Sequence, residues 1–206
     1  MVFMLMGHEI WAELYKPAGY LLDDLKKNEK NYDQDPSSNE NKFELAMSYA
    51  YTGRILEGWD TLKKVDKSYA PVVIAKYETL SKKEPGEWRH FFKLGFGYYF
   101  QEKKPLAADS FERALSVDPS NIWSMGFLAF VKGDVGQVDE AISLCKKAIQ
   151  LEPNAIALHV LLGVGYGKKG DYMGVAGEGM IAARLKTEEA FSQSKSSKNV
   201  NRHKRP

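Results

Sequence analysis

Apolar residues along most of this chain recur at intervals of three and four, the signature of helices with one buried face. The pattern is plainest after residue 87. Segments beginning at Trp88, Ile122 and Ile156 align without gaps at a constant period of 34. In the first, Phe91, Leu94, Gly95, Tyr98, Ala107, Phe111, Ala114 and Pro119 occupy positions 4, 7, 8, 11, 20, 24, 27 and 32. The second carries Met125, Leu128, Ala129, Lys132, Ala141, Cys145, Ala148 and Pro153 there, and the third His159, Leu162, Gly163, Tyr166, Val175, Gly179, Ala182 and Thr187. Positions 4, 7, 8 and 11 share one helical face, as do 20, 24 and 27, so each segment predicts two amphipathic helices whose stripes meet. Small residues at positions 8 and 27 let the two backbones approach closely. The run Asp118-Pro119-Ser120-Asn121 supplies a helix stop and then an N-cap for the next unit.

Upstream the pattern is less regular. Lys42 to Val65 repeats part of it, with Leu45, Ala46, Tyr49, Gly53, Gly58, Leu62 and Val65 at matching spacing, but that unit would start at Asn39, one period and nearly half of another before Trp88. One parse assigns the surplus to an extra helix over Ala70 to Lys83. Another starts a unit at Arg54, which puts Val73, Tyr77, Leu80 and Pro85 in register but leaves Asp60 and Thr61 at the positions of Leu and Gly. Both parses predict a continuous helical stack. Residues 1–27 form an N-terminal segment whose apolar stripe (Ile10, Trp11, Leu14, Tyr15, Leu21, Leu22, Leu25) is interrupted by Pro17, which predicts two short amphipathic helices meeting at a kink. Residues 28–40 read as a polar linker, 41–190 as the repeat array with its irregular part over 41–87, and 191–206 as a disordered basic tail. Seven of the 17 glycines fall between Gly163 and Gly179, so the last repeat is expected to be the loosest.

The three gapless periods resemble the tetratricopeptide repeat, a helix-turn-helix unit. The resemblance covers about two-thirds of the chain and implies an all-α, right-handed superhelical solenoid of antiparallel helix pairs, about 4 to 5 repeats long. It further implies that the first helix of each repeat lines a concave groove through positions 2, 5, 9 and 12. Those positions hold Phe43 and Met47 in the early repeat, then Arg89, Phe92, Phe96 and Tyr99, then Trp123 and Phe130 with Gly126 and Gly133, then Ala157, Val160, Val164 and Gly167. Arrays of this family that clamp a partner's C-terminal carboxylate use Lys and Asn at positions 5 and 9 of the first repeat. Here Phe43 and Met47, or Phe92 and Phe96, stand there, so a carboxylate clamp is not expected. The expected function is a non-enzymatic scaffold or adaptor, holding an apolar or amphipathic helical segment of a partner protein, or of another copy of the chain, in an aromatic groove. The competing expectation is that Trp11, Leu14 and Leu21 fold back and cover the groove.

Composition narrows the chemistry. A chain of 206 residues with one Cys needs no disulfide to hold a core, and it has no Cys/His cluster at metal-ligand spacing, so neither a metal nor a cofactor is expected. The setting expected is cytoplasmic. The longest apolar stretch, Ile156 to Gly167, is interrupted by His159 and is too short to cross a bilayer, and Met1 to Met6 lacks the features of a signal peptide. Five cations and no acid lie between Phe191 and Pro206, against a net charge of +2, so a mildly acidic body carries a basic tail; a peripheral membrane or nucleic-acid adaptor acting through Lys195 to Arg205 is the alternative function. Gly165-Tyr166-Gly167-Lys168-Lys169-Gly170 matches a dinucleotide fingerprint, but it falls at the end of a helix rather than after a strand. His159 and Cys145 stand at core positions and read as packed side chains. No catalytic constellation is expected.

Overall fold

The computed structural model describes residues 15–202, with side chains described as far as residue 191. Among the described residues every regular element is helical. The helices are α1 (Gly19–Gln34), α2 (Asn39–Tyr51), α3 (Ile55–Leu62), α4 (Ala70–Lys83), α5 (Trp88–Phe100), α6 (Lys104–Val117), α7 (Ile122–Asp134), α8 (Val138–Leu151), α9 (Ile156–Lys168) and α10 (Tyr172–Arg202). The predicted repeats are realised as the pairs α5/α6, α7/α8 and α9/α10, whose first helices begin at Trp88, Ile122 and Ile156. Each pair closes through a three-residue turn whose middle residue, Glu102, Gly136 or Gly170, is left-handed. Asn121 caps α7 as expected, its side chain accepting from the Ser124 N–H at 2.9 Å.

Packing within and between pairs depends on matching large side chains to missing ones. A Cβ on Gly95 would stand 2.7 Å from the buried ring of Phe111, so the two helices of that pair meet only because position 8 is glycine. Between units, Ile74 of α4 fills the space above Gly97 of α5, and Ile142 of α8 that above Gly165 of α9. At the middle junction the same two positions hold Ala108 and Val131, the sizes exchanged. Close packing of this kind, not helix propensity, holds the stack together.

The irregular stretch is a helical hairpin set into the array. α4 starts as far before α5 (70 to 88) as α6 does before α7 (104 to 122) and α8 before α9 (138 to 156), so α4 is a regular second helix. Yet α2 and α3 are joined by the usual three-residue turn, with Gly53 left-handed, and α3 packs on α2, where Gly58 lies against the backbone of Ala46 and Ala50. The extra helix at 70–83 is therefore in register, and the surplus residues are the α2–α3 hairpin side by side with it. Tyr51, at the end of α2, packs on Trp88 at the start of α5, while Phe43, near the start of α2, shares a small pocket with Phe100 at the end of α5. α2 thus runs antiparallel to α5, and α3, antiparallel to α2, runs parallel to it.

Two expectations about the ends need correction. Residues 28–34 are not linker: α1 runs through them, because Asn28 continues the buried face of Leu21 and Leu25 and donates to Ser48 Oγ at 2.8 Å. Only residues 35–38 form the connection, folded around the Asp35 carboxylate, which accepts from the N–H groups of Ser37 and Ser38. At the other end α10 continues to Arg202 where a disordered tail is expected from 191, since no Gly or Pro interrupts Met180 to Arg202. Trp11 and Leu14, and the side chains of the tail cations, lie outside the described residues.

The glycines give opposite expectations under substitution. Gly95→Ala forces a methyl into the Phe111 ring and is expected to lower stability by about 1–3 kcal/mol. Gly177→Ala, with nothing within 4 Å of the new Cβ, is expected to raise it by about 0.5–1 kcal/mol. Urea midpoints of the two variants check both signs.

Candidate functional site

The concave positions are where a binding groove is expected, and the structure brings their aromatic side chains together but covers most of them. Phe92 is fully buried, ringed by Tyr51, Trp88, Phe96, Phe111 and Phe127 with centroids 5.4–6.0 Å away. Phe96 meets Phe127 edge-on at 4.7 Å and Trp59 of α3 at 6.3 Å. The same Trp59 reaches Phe130 at 5.8 Å, and Phe130 in turn meets Tyr99 at 5.4 Å. Such tilted and edge-on pairs add about 0.5–1.5 kcal/mol each beyond the area they bury. Phe43 packs on Tyr77, and Met47 lies in the seam with Ile55, Gly58, Trp59 and Phe127.

Trp123 is covered from a different direction. Its indole N–H donates to Tyr15 Oη at 2.8 Å, the two rings meet edge-on at 5.3 Å, and Gly53 lies where they join, a Cβ there standing 3.0 Å from the indole and 3.2 Å from the Tyr15 ring. Arg89 is held by Asp24 of α1 at 2.6 Å and by Glu87 at 2.6 Å, under the ring of Tyr20. Its hydrogen bond to Glu87 raises the guanidinium's pKa further, against the opposing effect of burial.

Most of the expected groove is thus covered by the chain itself. Phe43, Met47, Phe92, Phe96 and Trp123 are buried; Arg89 and Phe130 are half-buried against α1 and α3, and Tyr99 is half-buried against Phe130. The physical reason is the antiparallel placement of α2, which swings α3 onto the face that a regular array leaves bare. Sequence reasoning missed Trp59, although Ile55, Trp59 and Leu62 make an apolar stripe that requires a covering surface. What stays open is the third repeat's share of the concave line, where Val160 and Val164 of α9 are 54% and 52% exposed.

Glu44 and His159, both polar and shielded from solvent, have structural partners. Glu44 accepts from Lys93 at 2.7 Å and from Lys76 at 2.8 Å, and Tyr77 donates to it as well, which ties α2 to α4 and α5. Burial pushes the Glu44 carboxyl upward, but the ammonium groups of Lys93 and Lys76 outweigh it and hold the pKa at about 2. His159 sits between the Pro153 carbonyl and Glu178, at 2.8 and 2.7 Å, as a packed histidine. Burial, with a smaller push from Glu178, drives the Cys145 thiol up to about 12, an environment opposite to that of a nucleophile. Gly165 to Lys168 end α9 and Gly170 makes the turn, so no βαβ unit underlies the glycine fingerprint. Among the described residues no group of His, Cys, Asp or Glu could hold a metal ion, and no helix is long and apolar enough to cross a membrane.

The sequence matches no protein-family model and no curated protein. Among solved structures it is similar to "MamA 41-end from Desulfovibrio magneticus RS-1", 16% identical over 82% of this chain and 87% of that one, with a TM-score of 0.52. The "MamA RS-1 ArsTM double mutant" is also 16% identical, over 83% and 88%, with the same score of 0.52. At that identity the likeness is one of fold. Together with the regularly repeated helix pairs it makes the architecture a tetratricopeptide-type helical solenoid.

The Glu44 cluster yields a pH prediction. Because the folded carboxyl lies below its ordinary value of 4.5, its contribution is complete above about pH 4.5 and is lost as pH falls toward 2. Glu44→Gln is expected to flatten the acid limb of the stability curve. Glu44→Ala, which leaves Lys93 without its carboxylate, is expected to cost about 3–5 kcal/mol at neutral pH. Urea unfolding from pH 7 to pH 2 measures both.

Proposed function

We propose that this protein is a non-enzymatic interaction scaffold that takes an apolar or amphipathic helical segment of a partner protein on the open end of its concave surface, along α9. One observation carries the reading. Val160 and Val164 stand more than half exposed at positions whose counterparts in the first repeat, Phe92 and Phe96, are buried by the chain itself. They lie one helical turn apart, the spacing at which a helix laid alongside presents successive anchors. The polar residues offer hydrogen-bonded and ion-paired structure in place of a reacting centre, and the repeat architecture supplies an extended surface built from helix faces.

The surface is small, so it reads as one part of a contact rather than a whole groove. Each valine buried on binding contributes about 1.5 kcal/mol, close to a tenfold change in affinity. Val160→Asp with Val164→Asp is therefore expected to reduce retention of the partner by about a hundredfold. Val72→Asp, at an exposed valine on α4 away from the concave line, is expected to leave it unchanged. Proteins retained from native lysate by each immobilised variant, quantified by mass spectrometry, decide it. The reading is abandoned if the double variant retains the same proteins in the same amounts.

A further inference from the structure

The N-terminal stretch of the described chain travels along the concave surface, unit by unit. Position 2 of the three regular repeats is occupied by Arg89, Trp123 and Ala157. Asp24 pairs with Arg89 at 2.6 Å, and the ring of Tyr20 lies over the same guanidinium at 5.4 Å. Tyr15 has already moved on to Trp123, where it accepts the indole N–H at 2.8 Å. The short step from Tyr20 back to Tyr15 therefore carries the chain one whole unit toward its C-terminal end. Burial, opposed by the Trp123 hydrogen bond and aided by the carboxylate of Glu152, raises the Tyr15 pKa. Glu152 belongs to the connection leading into α9.

The next unit along this path is α9, and it presents the only large apolar side chains of the regular concave line that exceed half exposure among the described residues, Val160 and Val164. The sequence that must continue from Tyr15 is Ile10-Trp11-Ala12-Glu13-Leu14, with three large apolar residues in five. Reach is sufficient: packed helices stand about 8–10 Å apart, and five residues extend to about 17 Å. We propose that residues 10–14 lie on the Val160–Val164 strip of their own molecule, with Trp11 as the anchor. The inference rests on the reading of that strip as a binding surface and supplies its resident occupant. A partner then binds by displacing the chain's own segment, and its apparent affinity falls by the fraction of molecules in which the segment is seated.

Disulfide trapping in the full chain tests the placement. Ala12→Cys keeps Trp11 and Leu14 and is combined with Val160→Cys on the strip, or with Met173→Cys, an exposed site on α10 off the strip. The native Cys145 is buried and its thiol is pushed up to about 12, so it does not compete. The Val160→Cys pair is expected to close within one molecule, at a rate independent of protein concentration below the millimolar effective concentration of a short tether, and faster than the Met173→Cys pair. Val164→Cys repeats the test if Val160→Cys disturbs the helical circular dichroism. Disulfide-linked dimers in place of the internal bond would put the segment on a second copy, and equal rates at the two sites would put it elsewhere; either overturns the proposal. Neither outcome depends on partner retention. The failure of the scaffold reading would appear in the Val160→Asp/Val164→Asp comparison and leave the trapping result intact.

Discussion

The contact of Trp59 with Phe96 and Phe130 is the constraint on which the concave side depends. Trp59 belongs to an eight-residue helix, too short to persist alone in water, so α3 exists only because it has a surface to lie on. That surface is the row of aromatic residues at the concave positions of α5 and α7. The dependence is mutual. Uncovered, Phe92, Phe96 and Phe130 would make an apolar patch of the kind that drives association, and covered, they are the centre of the core. The Glu44 cluster fixes the same arrangement from the other side, since one carboxylate on α2 holds ammonium groups from α4 and α5.

Much of the architecture was legible in residue spacing, and the reason is local. The repeat period, the helix starts at Trp88, Ile122 and Ile156, and the stop-and-cap run before α7 each depend on residues within one turn or one crossing, and all stand where the pattern puts them. The α2–α3 hairpin was not legible in the same way. Its turn and the Asp35-Pro36-Ser37-Ser38 connection look like those of the regular repeats, but the direction in which α2 runs past α5 is fixed by side chains far apart in the chain, such as Tyr51 with Trp88 and Phe43 with Phe100. No period records such pairs. The extent of α1 was hidden for a related reason: Asn28 occupies a buried position, and only its bond to Ser48 shows why a polar residue belongs there.

The residues at the concave positions show the same division. The eight residues singled out by position are buried or half-buried, and position located them without saying what covers them. It could not identify the occupant, because the covering groups, Tyr15, Tyr20, Gly53 and Trp59, come from outside the regular repeats. The consequence for function is a solenoid with a filled groove over its first two regular units and an apolar strip over its third. Its last helix adds exposed Met173 and Met180, where an internal repeat would receive the next unit.

The central claim is that the N-terminal hairpin closes the concave face of its own molecule as part of one cooperative core. Native-state hydrogen exchange on the full chain tests it directly, because α3 has no stability of its own to report. A closed face predicts that amides of Ile55–Leu62 exchange with the same opening free energy as those in the middle of α5, and that both fall together as urea is added. Amides of α3 exchanging at nearly unprotected rates while α5 stays protected would mean that the hairpin is detached and the aromatic groove is open, which contradicts it.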